Sequence, residues 1–390
     1  MKLKRLILFC SLYFLAYFVY ALPYSQYIPY LTEIGYSATQ RGFMISCYSV
    51  ANIVFQLIFG YFSDKYNKAK EILIISLMMM ALSTMFLFQI HTQLFILHLL
   101  LVALSGGLVN TNFGLLDTWL YTNGEDTVEN FSFIRAFGSL GWAVASLCVA
   151  GFITSVGYAR FGLSIVLISV LTVGLIVLCK NRRLSSKKIS KINITDVKKL
   201  LVSPTYILLV AVMFLLTCVT SMNSSVIVDK FIVLGATSSQ IGLKWAINGV
   251  VEIPCYLLGS KILEKLGANK LLILGAMTLA IQYFFYATAN SVNSLLIVSA
   301  GQMLTGPFVL LSSRMLFRKY APIELQSTAL LLGLSIYQGI SMFVMPIVGG
   351  YLTDNISVNA TLYVVVGLAI IGIGLSTVLY YKTKKEELNI

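Results

Sequence analysis

Apolar stretches follow one another along the whole 390-residue chain, broken by short polar segments. Each is close to the ~20 helical residues needed to cross a hydrocarbon core. Within a stretch the apolar residues run on continuously instead of alternating, the pattern of a helix that is buried or faces lipid. Backbone groups in lipid have no water to bond to, so helix is the structure expected of such runs. The pattern predicts twelve spans, near 6–30, 41–63, 71–89, 94–120, 133–156, 160–180, 203–228, 238–262, 270–289, 293–316, 325–349 and 359–381. The first is too long for the apolar region of a signal peptide and lacks a small-residue cleavage site, so it reads as a retained helix.

Composition agrees: 58% of the residues are hydrophobic and 11% charged, too little charge for a water-soluble surface. The net charge of +13 does not point to nucleic acid, because the basic residues gather in alternate loops. Lys2, Lys4 and Arg5 precede span 1, Lys65, Lys68 and Lys70 follow span 2, and Lys180 to Lys199 follow span 6. Lys261, Lys265, Lys270, Arg318, Lys319, Lys382, Lys384 and Lys385 continue the series. The loops between are nearly free of Lys and Arg, so the positive-inside rule places both termini in the cytoplasm of a bacterial-type inner membrane. The six cysteines, Cys10, Cys47, Cys148, Cys179, Cys218 and Cys255, lie inside predicted spans with no metal-ligand spacing, which argues against a disulfide framework.

The basic linker at 181–202 divides the spans six and six, giving an N-terminal half over 1–180 and a C-terminal half over 203–390. The halves repeat at a constant offset of 200 residues. The stretch from Gly35 to Gly42, GYSATQRG, returns as GATSSQIG from Gly235 to Gly242. Asp64, Lys65 and Lys70 return as Glu264, Lys265 and Lys270, and Leu104, Gly106 and Val109 as Leu304, Gly306 and Val309. An ungapped offset over so long a stretch implies two homologous halves of the same orientation.

The loop after span 2 runs from Gly60 through Asp64 and Lys65 to Lys70, as GYFSDKYNKAK. It resembles the G-x-x-x-D-[RK]-x-G-[RK]-[RK] signature of the major facilitator superfamily, with Asn67 in place of the second glycine. The resemblance implies a gate in which Gly60 allows close helix approach and Asp64 and Lys65 make and break contacts, with Glu264 and Lys265 as repeat counterparts. A second likeness lies in spans 4 and 5, where Asp117 is followed by Arg135-Ala136-Phe137-Gly138-Ser139-Leu140-Gly141-Trp142. This is similar to the lactose permease branch, the oligosaccharide:proton symporters, and to its phenylpropionate- and nucleoside-carrying relatives. It implies that Asp117 and Arg135 hold sugar hydroxyls and that Trp142 stacks on the ring. An intramembrane Asp or Arg costs about 2.5–3.5 kcal/mol on insertion scales and tends to face a polar cavity, so the residues support a site independently of the family.

Tyr13, Tyr17, Tyr20, Tyr24 and Tyr27 form a stripe along span 1, and Tyr17, Tyr20 and Tyr24 are the candidates for the cavity wall. Pro23 and Pro29 predict a bend or break there. Glu252 falls near the middle of span 8, opposite Asn52 in the repeat, and burial there would favour a protonatable carboxyl. Alignment to lactose permease places Gly249 at the family's span-8 glutamate, Gln282 at its span-9 arginine, and Gln302 and Thr305 at its span-10 histidine and glutamate. The known proton relay is therefore not carried over, and Glu252 is the candidate for proton coupling.

The expected protein is an all-α membrane carrier with two parallel six-helix halves and alternating access, a sugar:proton symporter that imports a small sugar with H+ as coupling ion and no other cofactor or metal. Its partners are the solute, the proton and the bilayer; it should work as a monomer and bind no nucleic acid. An aromatic-acid or nucleoside permease, a metabolite or drug exporter, and a non-transporting sensor are the alternatives. The lack of nucleotide-binding and nucleophile motifs speaks against ATP-driven transport and enzymology. The charge pattern makes a direct prediction: a fluorescent-protein fusion after Ile390 should glow, and an alkaline phosphatase fusion near Ser291 should be active. The reverse result would invert the topology.

Overall fold

The computed structural model describes residues 3–66, 68–124, 126–127, 130–180, 202–320 and 326–388. Asn67 and nearly all of the basic linker lie outside them. Regular structure among the described residues is entirely helical: α1 (Leu3–Tyr24), α2 (Tyr27–Glu33), α3 (Ala38–Tyr66), α4 (Ala69–Leu87), α5 (Phe95–Thr122) and α6 (Phe131–Leu178) come first. There follow α7 (Pro204–Ser221), a 3-10 turn (Met222–Ser224), α8 (Val226–Val233), α9 (Ser238–Leu257) and α10 (Gly259–Leu266). The chain ends with α11 (Ala268–Thr288), α12 (Val292–Ser299), α13 (Gln302–Lys319), α14 (Gln326–Asn355) and α15 (Val358–Leu388).

The sequence repeat has a mechanical meaning at its first segment. Gly35 and Gly235 take left-handed backbone angles, φ 96° and 75°, which end the preceding helix. Ser37 and Thr237 then cap the helices that follow. The Ser37 amide donates to Gln40 Oε1 at 3.0 Å and the Gln40 amide to Ser37 Oγ at 3.3 Å. The Thr237 amide donates to Gln240 Oε1 at 2.9 Å and the Gln240 amide to Thr237 Oγ1 at 3.3 Å. Both are capping boxes, so the shared letters G-x-[ST]-x-x-Q encode one helix start used twice.

A break in the first helix recurs at the same offset. Span 1 is interrupted at Ser25 and Gln26, between α1 and α2, where the Gln26 amide bonds back to the Pro23 carbonyl at 3.0 Å. Pro23 thus sits at the predicted break, whereas Pro29 lies in the first turn of α2, where a missing N–H costs little. Span 7 is interrupted at Ser225, between the 3-10 turn and α8, with no proline nearby. The two serines stand 200 residues apart.

Ten helical stretches of the described residues are long and apolar enough to cross a membrane. Two differences from the twelve expected spans explain the number. Phe133–Leu178 forms one apolar stretch of 46 residues, about 69 Å at 1.5 Å per residue, which exceeds the ~30 Å hydrocarbon core. Gly157 interrupts it with φ 74° and ψ 167°, between the predicted spans 5 and 6. The predicted span 8 is helical but carries Gln240, Lys244, Asn248 and Glu252, and it is not among the ten.

Cα packing divides the chain into two compact units, Met1–Lys187 with Gly235–Val250, and Lys188–Leu234 with Val251–Ile390. In the first, α1 packs along α6 and α3 along α5; in the second, α11 packs along α13 and α15, and α7 along α14 and α15. Glycine sets the closest approaches. A Cβ at Gly106 would meet the Tyr48 ring at 2.8 Å, and one at Gly138 the Tyr17 ring at 2.9 Å. At Gly141 a Cβ would overlap the backbone carbonyl of Phe14. Small residues at such crossings let helix backbones touch.

Gly60 stands apart from these glycines: outside its own helix, no heavy atom among the described residues lies within 4 Å of where its Cβ would be. The contrast between glycines gives a test: Gly141→Ala should lower the melting temperature of the detergent-purified protein, by an amount equivalent to about 2 kcal/mol or more, since a backbone carbonyl cannot rotate away. Gly151→Ala, where no heavy atom of another segment among the described residues stands within 4 Å, should melt like the wild type. Equal melting of both variants would refute the crossing.

Candidate functional site

The stripe of tyrosines on α1 faces α5 and α6 within the first unit. The α1–α6 crossing at Gly138 and Gly141 brings the two ends of the Arg135–Trp142 motif against that stripe. One turn before the crossing, the Arg135 guanidinium lies over the Tyr17 ring, 4.2 Å from its centroid, and donates to Ser139 Oγ at 3.3 Å. A planar cation on a phenol face is a favourable contact that keeps the side chain extended. One turn after Gly138, Trp142 meets Tyr24 at 5.4 Å between centroids, with the rings inclined by 61°.

α5 supplies the opposite charge. Tyr13 Oη donates to Asp117 Oδ1 at 3.0 Å, and Tyr13 stacks on Tyr17 at 5.9 Å. Phe113, one turn before Asp117, fills the space between them, 4.8 Å from Tyr17, 4.9 Å from Tyr20 and 6.0 Å from Trp142. Asp117, Arg135, Trp142, Tyr17, Tyr20 and Tyr24 therefore belong to one continuous cluster. Its floor is closed: Tyr13, Tyr17 and Tyr20 are buried, while Asp117, Arg135, Trp142 and Tyr24 remain partly exposed. Tyr20 sits edge-on to Phe113 at 82°, deeper than a wall residue would. The arrangement offers a carboxylate, a guanidinium and aromatic faces over a shared aromatic base.

Glu252, half-buried in the second unit, has its own polar environment. Gln302 Nε2 donates to Glu252 Oε1 at 2.8 Å, and Thr305 Oγ1 donates to Gln302 Oε1 at 3.3 Å. A Cβ at Gly306 would stand 2.7 Å from Glu252 Oε1, so the glycine makes room for the carboxyl. Gln302 and Thr305, aligned with the missing relay, are thus the residues gathered at Glu252. Gln282 does other work: it is buried and donates from Nε2 to the Val298 carbonyl at 3.1 Å. At the repeat position Asn52 accepts at Oδ1 from Thr111 Oγ1 at 3.0 Å.

The side chains of Asp64 and Lys65 lie outside the described residues. Glu264 and Lys265 are exposed on α10. Lys70, the last basic residue of the gate motif, donates to the carbonyls of Val177 at 3.0 Å and Cys179 at 2.9 Å and so caps the C-terminus of α6. Arg5 Nη1 donates to both carboxylate oxygens of Asp126 at 2.8 Å, tying the start of α1 to the segment between α5 and α6. All six cysteines are free.

Sequence reasoning passed over several members. Tyr13 was recognised in the stripe but not as the partner of Asp117, and Phe113 was not singled out although it lies one turn from Asp117. Trp245 of α9, which belongs to the first unit, meets the other side of Tyr24 at 5.5 Å and 79°. Its signal was a tryptophan beside Lys244 in a span that also carries Asn248.

The chain is 27% identical to the transporter YwbF of Bacillus subtilis (strain 168) over 367 residues, covering 92% of this chain and 89% of the relative. It is 25% identical to the maltose permease of Geobacillus stearothermophilus over 363 residues, covering 91% and 90%. The crystal structure of the nucleoside transporter NupG superposes with a TM-score of 0.80 at 15% identity, covering 97% of this chain and 99% of that one, a likeness of fold. Residues 5–364 match the family described as MFS_1 like, and with the Asp117–Arg135 cluster set in a bundle of membrane-length helices, the chain belongs to that family of major facilitator transporters and is a carrier, not an enzyme.

Proposed function

We propose that the chain is a proton-coupled importer of a small sugar, with twelve spans in two parallel six-helix halves, 1–180 and 203–390, joined by the linker 181–202. Both termini would face the cytoplasm of a bacterial inner membrane, and the carrier would act as a monomer. The observation that supports the sugar reading most is the cluster in which Asp117 and Arg135 flank aromatic rings. A sugar presents hydroxyls around its rim and C–H groups on its faces. Carboxylate and guanidinium satisfy the hydroxyls by charge-assisted bonds, and the Trp142 ring covers a face. The permease relatives, one of them named for maltose, support the same class.

For coupling, Glu252 is the proton carrier in this reading. A carboxylate accepts the Gln302 amide, as Oε1 does here; a protonated carboxyl gains a donor and so changes which partners it satisfies. Exchange of partners on protonation is a way for one proton to bias two conformations. The gate would use Gly60, Asp64 and Lys65 in one half and Glu264 and Lys265 in the other. A nucleoside is the second reading. The Tyr24 and Trp142 rings, inclined at 61°, would hold a flat base edge and face, and the same charges would take the ribose.

Purified protein in weakly buffered liposomes separates these readings. Addition of maltose, lactose or xylose should alkalinise the outer medium as protons enter with solute. Arg135→Ala and Arg135→Lys should both raise the solute Kd tenfold or more, since lysine keeps the charge but loses the planar contact with Tyr17. Glu252→Gln should retain solute exchange and lose proton movement. Proton movement driven by uridine alone would replace sugar with nucleoside, and full coupling in Glu252→Gln would remove that residue from the relay.

A further inference from the structure

We propose that Trp245 and Asn248 are specificity-determining residues of the cargo site, reading two adjacent hydroxyls of a neutral ring solute. The inference deepens the cargo site placed around Trp142 and rests on it. Both residues lie on α9 in the part that belongs to the first unit.

α9 reaches the cluster along one face. A Cβ at Gly242 would overlap the Ser146 carbonyl of α6, Trp245 meets Tyr24 at 5.5 Å, and a Cβ at Gly249 would stand 3.4 Å from Trp142 Cδ1. The spacing of these three positions, three and then four, is that of a single helix face. Asn248 lies three residues from Trp245 and adjoins Gly249, on the same side of the helix. The two glycines let the helix lie close enough for Trp245 to reach the aromatic cluster.

The polar atoms on this face are buried and unanswered. Trp245 and Asn248 are each 7% exposed, and Tyr20, on the opposite side of the cluster, is fully buried. Trp245 Nε1, Asn248 Nδ2, Asn248 Oδ1 and Tyr20 Oη have no hydrogen-bond partner among the described residues. A buried amide with neither its donor nor its acceptor satisfied costs about 1–3 kcal/mol per group, so each calls for an answering group, a water or a bound molecule among them. Lys244, also fully buried, places Nζ 3.3 Å from the Trp245 ring centre and holds the indole in place.

The chemistry of the set selects its ligand. An amide side chain donates and accepts side by side, which matches two neighbouring hydroxyls, one accepting from Nδ2 and one donating to Oδ1. The indole N–H adds a donor, and the Tyr20 hydroxyl serves as either. The four unanswered groups are themselves uncharged, which suits a diol-bearing ring. A site built to bond a hydroxyl rejects the analogue that lacks it, because its own buried groups are then left unpaired.

The test is isothermal titration of the purified full chain in detergent with maltose, methyl glucoside and uridine, each beside its monodeoxy counterpart, and with phenylpropionate as a probe without a diol. At least one diol probe should bind, and loss of one hydroxyl should weaken it tenfold or more. Asn248→Ala should weaken the parent probe to a similar degree while leaving the deoxy probe unchanged, the mark of a direct contact. Trp245→Phe, which keeps a ring beside Tyr24, should weaken binding about fivefold through the lost donor. If Asn248→Ala fails to fold, the deoxy series on the wild type decides alone. Undiminished binding of the deoxy probes, parent affinity unchanged in Asn248→Ala, binding of phenylpropionate only, or no binding of any probe would overturn the proposal. Binding of uridine alone with full dependence on Asn248 would uphold it while removing the sugar reading. Maltose binding indifferent to Asn248 would do the reverse.

Discussion

The backbone of α6 can lie against the carbonyl of Phe14 on α1 only because residue 141 has no side chain. Everything in the candidate site follows from that contact. With Gly138 against Tyr17 one turn earlier, the crossing fixes the separation of the two helices at a length of chain where charges and rings can interlock. Arg135 is delivered to one side of the crossing and Trp142 to the other, seven residues apart and so on the same face of α6. A wider crossing would leave the guanidinium reaching past Tyr17 and the indole short of Tyr24. The glycines in the Arg135–Trp142 motif are therefore as much a part of the site as its named polar residues.

The same economy appears in the repeat. A 200-residue offset preserves two capping boxes, two left-handed glycines and two interruptions of the first helix, but it does not preserve the chemistry carried between them. Tyr48 and Asn248 are counterparts, as are Asn52 and Glu252. Gly106 packs against an aromatic ring in one unit, and Gly306 packs against a carboxyl in the other. A duplicated scaffold thus holds two different sets of side chains at equivalent places.

Much of this was legible in the sequence. The long apolar runs and the duplicated G-x-[ST]-x-x-Q segment encode local structure through spacing, and the Arg135–Trp142 stretch was marked by its resemblance to a known family; the structure has helices, caps and a cluster at those places. What was not legible depends on contacts between distant segments. The pairing of Tyr13 with Asp117 needs the rotation of α1 about its axis, which five evenly spaced tyrosines leave undetermined. Gly60 is a further case: the motif implies a close approach, but whether a neighbour lies within reach of a glycine is a property of the helix opposite. Span 8 was expected from its length, yet its polar residues keep it below the hydropathy of the other helices.

That low hydropathy is the physical clue to function. A helix holding Lys244, Asn248 and Glu252 pays to sit among apolar helices, and the cost is recovered only where each polar group finds a partner. Gln302 answers Glu252, and the Trp245 ring lies under Lys244. Trp245 Nε1 and the Asn248 amide are answered by nothing among the described residues. An amide buried without a partner is a costly feature to retain for packing alone, since a leucine would fill the space without the penalty. On the proposal made above, a solute completes these hydrogen bonds on arrival, and the energy withheld in the empty carrier becomes the affinity and selectivity of the loaded one.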